Sequence, residues 1–154
     1  MVLKQANASG RMTTSWEPLE TTTHQDHVIA HVVDATVLGY VILDETLYVL
    51  LDIGFIWTIY LDGEMVLLPQ SLAVRELEVS KEIRRRIQSE TDHLIKGELD
   101  RELEYMVPAT LECTITEVNI FAAGDQRRLV VSGAEASLAI ETSLATSEMK
   151  VYEF

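Results

Sequence analysis

Four apolar, β-branched runs follow one another in the first half of the chain, with only a few polar residues between them. They read HVIAHVVDATVLGYVIL, TLYVLLDI, FIWTIYL and EMVLL, and they span residues 27–68. Val, Ile, Thr and aromatic side chains favour the pleated strand. Connections this short leave no room for the helix that a parallel crossover needs. The sequence therefore predicts an antiparallel β-meander.

Turn signals separate these runs at residues 44–45, 52–54 and 62–63. Asp62-Gly63 is the strongest, because an Asp-Gly pair suits a type I′ turn in which both central residues have positive φ. We expect this turn to join Leu61 to Glu64 in a tight hairpin.

A helical pattern occupies the middle of the chain, from Leu72 to Met106, with Ser71 as its candidate N-cap. The apolar stripe changes sides beside Gly97. A straight helix of this length would measure roughly 50 Å, whereas the radius of gyration expected of the domain is about 15 Å. We therefore predict a helix bent near Gly97, with a projecting helix that pairs with a second copy as the alternative.

Strand character returns after Pro108, where ATLECTITEVNIFAA alternates and then changes parity. The change predicts a β-bulge near Glu117. Residues 134–146 fit either a strand or a helix, and their alternation favours a strand. The predicted fold class is α+β: an antiparallel β-meander, one long bent helix, and a second antiparallel β region.

The predicted domain organisation is a flexible N-terminal arm over residues 1–23 and a single α+β domain over residues 24–154. The arm is polar and without periodicity, and only Trp16 and Leu19 are expected to dock onto the domain.

Negative charge is concentrated in the β-rich half. The chain has a formal net charge of −13, and between Arg11 and Arg75 it contains nine acidic residues and neither Lys nor Arg. Such a field repels nucleic acid and anionic membranes and attracts a basic protein surface. Three consecutive arginines, Arg84 to Arg86, do not change this, because consecutive helical residues point around the circumference and cannot form one basic face.

Two further features bear on location. No run of 18 or more apolar residues is present, so no transmembrane helix is predicted. The single cysteine, Cys113, permits no internal disulfide and fits a reducing, cytoplasmic environment. We interpret Cys113 as a core residue of a strand.

The favoured hypothesis is a non-catalytic interaction or regulatory protein, forming a homodimer, that binds a basic protein partner. If alternate turns meet at one end of the meander, turn carboxylates would cluster there. The structural alternative is that Asp simply favours turns, where its side chain satisfies local backbone donors. The candidate binding residues are Asp44, Glu45, Asp52, Asp62 and Glu64.

A second hypothesis is a small-ligand-binding sheet domain. Its candidate ligand-lining residues are the aromatics of neighbouring strands, Tyr40, Tyr48, Trp57 and Tyr60. Alternation along the third run, however, is also what the buried face of a sheet looks like.

Three of the four histidines lie in the segment HQDHVIAH, residues 24–31. On a helix, His24, His27, His31 and Asp34 would share one face and resemble a zinc ligand set. The density of β-branched residues favours a strand instead, on which only His27 and His31 stand together. A metal-assisted enzyme using His27 and His31 is the third and least favoured hypothesis. No nucleotide-binding or hydrolase motif is present, and no cofactor is predicted.

Overall fold

The computed structural model describes residues 15–54, 56–62, 64–68, 74, 77–98, 102–146 and 148–154, without the side chains at positions 62, 64, 66 and 68. In this part of the chain the fold is α+β, with two antiparallel sheets, one main helix and one shorter helix. The predicted fold class is confirmed.

Sheet 1 contains the meander, and its spatial order is β5-β4-β3-β2-β6. Its strands are β2 (Val37–Leu43), β3 (Thr46–Leu51), β4 (Ile56–Asp62), β5 (Glu64–Leu68) and β6 (Val107–Pro108). The first four pair in sequence order, each antiparallel to the next.

Sheet 2 is the second β region, in the order β1-β7-β8-β9-β10. Its strands are β1 (Glu17–Leu19), β7 (Ile115–Ala123), β8 (Gln126–Gly133), β9 (Leu138–Ser143) and β10 (Lys150–Glu153). The β7–β8 register shifts between Ile115 and Glu117, which confirms the predicted bulge. β9 confirms the strand interpretation of residues 134–146.

The two sheets face each other around the main core. Trp57 and Ile59 of sheet 1 are fully buried in one cluster with Leu129 and Ile140 of sheet 2. Cys113 belongs to the same cluster, as predicted, but it lies just before β7 and not within a strand.

The opposite face of sheet 1 is also covered. Here helix α2 (Lys81–Ile95) packs its buried Ile87 and Leu94 in a second cluster with Val41 and Leu50 of the sheet. Because α2 buries its apolar face on its own sheet, the alternative of a projecting helix that pairs with a second copy is not needed.

The predicted flexible arm requires correction. Residues 17–19 form β1, which pairs with β7, and Trp16 is 8% exposed. The Arg128 guanidinium lies 5.8 Å from the centroid of the Trp16 ring. Residues 15–23 therefore belong to the folded domain; Trp16 docks as expected, whereas Leu19 remains exposed. Residues 1–14 lie outside the described residues.

The predicted strand at His27 is wrong, because residues Thr23–Val32 form a helix, α1. A capping box starts it: Gln25 N–H donates to Thr22 Oγ1 at 3.1 Å, and Thr22 N–H donates to Gln25 Oε1 at 2.9 Å. Val28 and Val32, one helical turn apart, are buried in the main core. The cap and this tertiary burial outweigh the β propensity of the valines.

The predicted helix over residues 72–106 is too long, because α2 covers only Lys81–Ile95. Its N-cap is Ser80, whose hydroxyl accepts from the Ile83 N–H at 3.2 Å; Ser71 lies outside the described residues. Gly97, at φ +74°, ends the helix instead of bending it.

The end of α2 is a Schellman motif. The Glu98 N–H donates to the His93 carbonyl at 2.9 Å, and the Gly97 N–H donates to the Leu94 carbonyl at 3.2 Å. His93 Nδ1 also lies 2.6 Å from Glu98 Oε2. These contacts satisfy carbonyl groups in the last turn of α2 and end the helix there.

The predicted pairing of Leu61 with Glu64 is wrong by one residue. Leu61 pairs with Met65, and Asp62 pairs with Glu64. Gly63 lies outside the described residues. The hairpin with two central residues at positive φ is instead the one at Asp44 and Glu45.

The Gly97→Ala variant tests the end of α2. A Cβ at this position would meet no atom within 4 Å, so the left-handed backbone alone should destabilise the protein, by about 1 kcal/mol. Urea unfolding measures this loss, with Ser89→Ala on the exposed face of α2 as the control. Equal stability of both variants would contradict the assigned helix end.

Candidate functional site

The meander brings the backbones of four acidic residues, all candidate binding residues, to the same end of sheet 1. The β2–β3 turn carries Asp44 and Glu45, and the β4–β5 turn lies between Asp62 and Glu64. Since neighbouring strands are about 4.8 Å apart, these positions lie within roughly 10 to 15 Å of one another. We call residues 44, 45, 62 and 64 the acidic end; the side chains of Asp62 and Glu64 lie outside the described ones.

The Asp44-Glu45 turn is strained at Glu45, because Asp is common at the first central position of such turns whereas the second usually carries Gly. Asp44 has φ +46° and Glu45 has φ +65°, between the paired residues Leu43 and Thr46. Two-residue hairpin turns of this kind usually carry Asn-Gly or Asp-Gly, because an ordinary side chain at positive φ raises the energy. Both carboxylates are exposed, so nothing in the core requires them.

Tyr48 connects the acidic end to the segment before α2. Burial raises the pKa of the Tyr48 phenol; a hydrogen bond with Thr46 acts in the opposite direction, and the carboxylates of Glu78 and Asp44 raise it further. The phenol is half-buried, whereas both carboxylates are exposed. Nothing in the sequence pattern pointed to Glu78, because its nearness to Tyr48 results from tertiary packing.

Asp52 does not belong to the acidic end. It lies in the β3–β4 turn at the opposite end of the meander, where Asp52 Oδ1 accepts from the Thr36 N–H at 2.9 Å. The Asp52 N–H donates in return to the Thr36 carbonyl at 2.9 Å. Its carboxylate therefore stabilises the start of β2.

The four candidate aromatics do not converge on one site. Trp57 is fully buried between the two sheets, whereas Tyr48 packs on the opposite face of sheet 1, beside the cluster under α2. Tyr40 and Tyr60 are half-buried against the main core. The pKa of Tyr40 is raised by burial and by the nearby carboxylate of Glu153.

Glu153 is a structural residue that the sequence pattern did not single out. Its Oε1 accepts from the N–H groups of Thr110 and Leu111 at 2.9 and 3.2 Å, and its Oε2 accepts from Thr110 Oγ1 at 3.0 Å. The C-terminal strand β10 thereby holds the loop between β6 and β7.

Glu153 also affects Cys113. Burial raises the pKa of the Cys113 thiol, and the negative charge of the Glu153 carboxylate raises that pKa further.

A polar cleft lies on sheet 2, remote in sequence from the candidate aromatics. Its volume is about 200 Å³, and its lining includes Gln126, Thr142 and Lys150. Sites for drug-sized ligands usually measure about 300 to 1,000 Å³, so this cleft is small for such a ligand.

The histidines lie on the solvent side of α1. His24, His27 and His31 are exposed, and Asp34 follows the helix at φ +76°, outside its regular turns. Among the described residues no group of three or more His, Cys, Asp or Glu side chains could hold a metal ion. The helix thus places His27 and His31 on one face without assembling a closed zinc site.

The arginines of α2 do not form a basic face. Arg86 donates to Glu104 Oε2 at 2.6 Å and is paired there.

No helix among the described residues is both long and apolar enough to cross a membrane. Comparisons with protein families, with curated proteins and with solved structures gave no match.

The alkaline stability of the protein tests the environment of Tyr48. Because folding raises the pKa of this phenol above its ordinary 10.0, its neutral form stabilises the fold below about pH 10, and that contribution is lost as the pH rises through the raised pKa. We expect the free energy of unfolding to fall above pH 10, and to fall less steeply in Tyr48→Phe. Urea unfolding across pH 9 to 12 measures both slopes; identical slopes would contradict a buried, carboxylate-flanked phenol.

Proposed function

We propose that this protein is a non-catalytic interaction module that binds the basic surface of a partner protein through its acidic end. The observation that carries the proposal is the Asp44-Glu45 turn, where two exposed acidic residues occupy positive-φ positions that Asn-Gly would fill with less strain. Backbone strain that persists without a packing reason supports a functional role for the side chains.

The charge distribution supports the same proposal. No Lys or Arg lies between Arg11 and Arg75, so no cation of the meander or of α1 neutralises Asp44 and Glu45. Glu78 adds a further exposed carboxylate near Tyr48. Complementary charge speeds association and selects among partners.

The rigidity of sheet 1 favours protein recognition over a flexible acidic tail. The β2–β3 turn joins two strands that contribute buried residues to the clusters on both faces of sheet 1. Because the turn is fixed before binding, little conformational entropy is lost when a partner docks.

The two alternatives receive less support. A ligand cavity built from the aromatics is disfavoured because Trp57 and Tyr48 lie on opposite faces of the sheet. A metal-assisted enzyme would need carboxylates that converge with His27 and His31, yet no group of three or more His, Cys, Asp or Glu side chains converges among the described residues. Homodimer formation remains a prediction, without the helix pairing that first suggested it.

Charge reversal tests the proposed partner binding. We expect Asp44→Lys/Glu45→Lys to lose the basic proteins that the wild-type chain retains from an extract of its source cells at low salt, because the attraction becomes repulsion. Affinity purification followed by mass spectrometry measures the retained set. The control is Asp125→Lys, which reverses an exposed turn carboxylate of sheet 2; a retained set that is the same for all three proteins would refute the proposal.

A variant that relieves the backbone strain of the Asp44-Glu45 turn distinguishes the effect of this turn on fold stability from its effect on partner binding. We expect Asp44→Asn/Glu45→Gly to stabilise the fold by about 1 kcal/mol, which for a chain of this size raises Tm by about 2 to 4 °C, while it weakens partner binding. Calorimetry and the same affinity purification measure the two effects, with Asp125→Asn as the control. A variant that gains no stability would show that the turn is not strained, and a variant that binds as wild type would show that the carboxylates are not needed.

A further inference from the structure

The helical conformation of α1 changes the chemistry of its histidines. His27 and His31 are four residues apart, so their Cβ atoms lie about 5 to 6 Å apart on one face of the helix. Both side chains are exposed. Neither makes a hydrogen bond or an ion pair with any of the described residues, so their ring nitrogens are available to a ligand from solution.

The opposite face of α1 holds the helix in place. Val28 is 1% exposed and Val32 is 2% exposed, both in the main core. Gln25 Nε2 donates to the Met65 carbonyl of β5 at 2.8 Å, and the capping box at Thr22 fixes the first turn. The two imidazoles therefore project from a backbone that is already ordered before a ligand arrives.

We propose that His27 and His31 form a two-imidazole binding site for a divalent transition-metal ion of the Cu²⁺, Ni²⁺ or Zn²⁺ class. Neutral imidazole is a good ligand for these ions, whereas Ca²⁺ and Mg²⁺ require oxygen ligands. Two nitrogens one helical turn apart can bind the same ion, as in helical metal sites with His at i and i+4.

The site is open. Because no group of three or more His, Cys, Asp or Glu side chains converges among the described residues, water completes the coordination. His24 lies three residues before His27 on the exposed side of α1. The proposal takes the His27–His31 pair as the ligands because its i, i+4 spacing is that of known helical metal sites. The proposal is independent of the acidic end, since it uses no carboxylate of the meander.

Calorimetric titration of the full chain, free of any affinity tag, with Cu²⁺ and with Zn²⁺ tests the proposal. We expect one equivalent of either ion to bind to the wild type, with Cu²⁺ the tighter. His27→Gln and His31→Gln should each weaken binding at least about tenfold, since removing a group that merely supports a ligand already has that effect. His93→Gln is the matched control, because His93 faces Glu98 at the end of α2 and should leave binding unchanged.

A second readout reports the ligands themselves. The electron paramagnetic resonance spectrum of the Cu²⁺ complex should show hyperfine coupling to two imidazole nitrogens in the wild type and to one in either single variant. Circular dichroism checks that the variants fold, which exposed positions should allow. Binding that survives His27→Gln and His31→Gln, equal loss in His24→Gln, or no binding by the wild type would overturn the proposal.

Discussion

Sheet 1 is covered on both faces, and the rest of the structure depends on this constraint. One face packs against sheet 2 around Trp57, and the other packs under α2 around Leu50. A sheet buried on both faces reads as nearly continuous apolar runs, which is the pattern of residues 37–68. The charged residues of the meander are therefore confined to the strand ends and turns. The position of acidic residues 44, 45, 62 and 64 at one end of the sheet follows from this burial together with the alternating direction of antiparallel strands.

Two different sets of contacts cover the sides of sheet 1. At the β5 edge, α1 inserts Val28 and Val32 into the core, and Gln25 Nε2 donates a hydrogen bond to the Met65 carbonyl. At the other edge, residues 113–115 pair with residues 34–37 and carry the chain from sheet 1 into sheet 2. Covering an exposed strand edge protects a protein from pairing with other chains. The helical form of α1 thus has a structural reason, and it turns the histidines outward as a consequence.

Much of the fold could be predicted from residue pattern, because strand runs, turn residues and parity changes are local signals. The meander, the bulge near Glu117 and the strand in residues 134–146 were predictable for this reason. The helix α1 was missed because its valines favour strands. Thr22 and Gln25 are nevertheless the residue types and spacing of a capping box, which is a helix-start signal. At the candidate site, strand direction predicted that turn carboxylates could share one end, but it did not separate Asp52 from Asp44 and Asp62. The pairing of Asp52 with Thr36 and the approach of Glu78 to Tyr48 depend on tertiary packing, which no local pattern reports.

The central claim is that the acidic end recognises a cationic protein surface. Nuclear magnetic resonance titration of the isotopically labelled chain with a lysine-rich peptide tests it residue by residue. The account predicts that the largest changes in amide shifts fall at residues 44–48, 62, 64 and 78, and that they disappear at about 1 M salt, where the screening length is about 3 Å. Shift changes centred on sheet 2 or on α1, or changes that salt leaves intact, would contradict it.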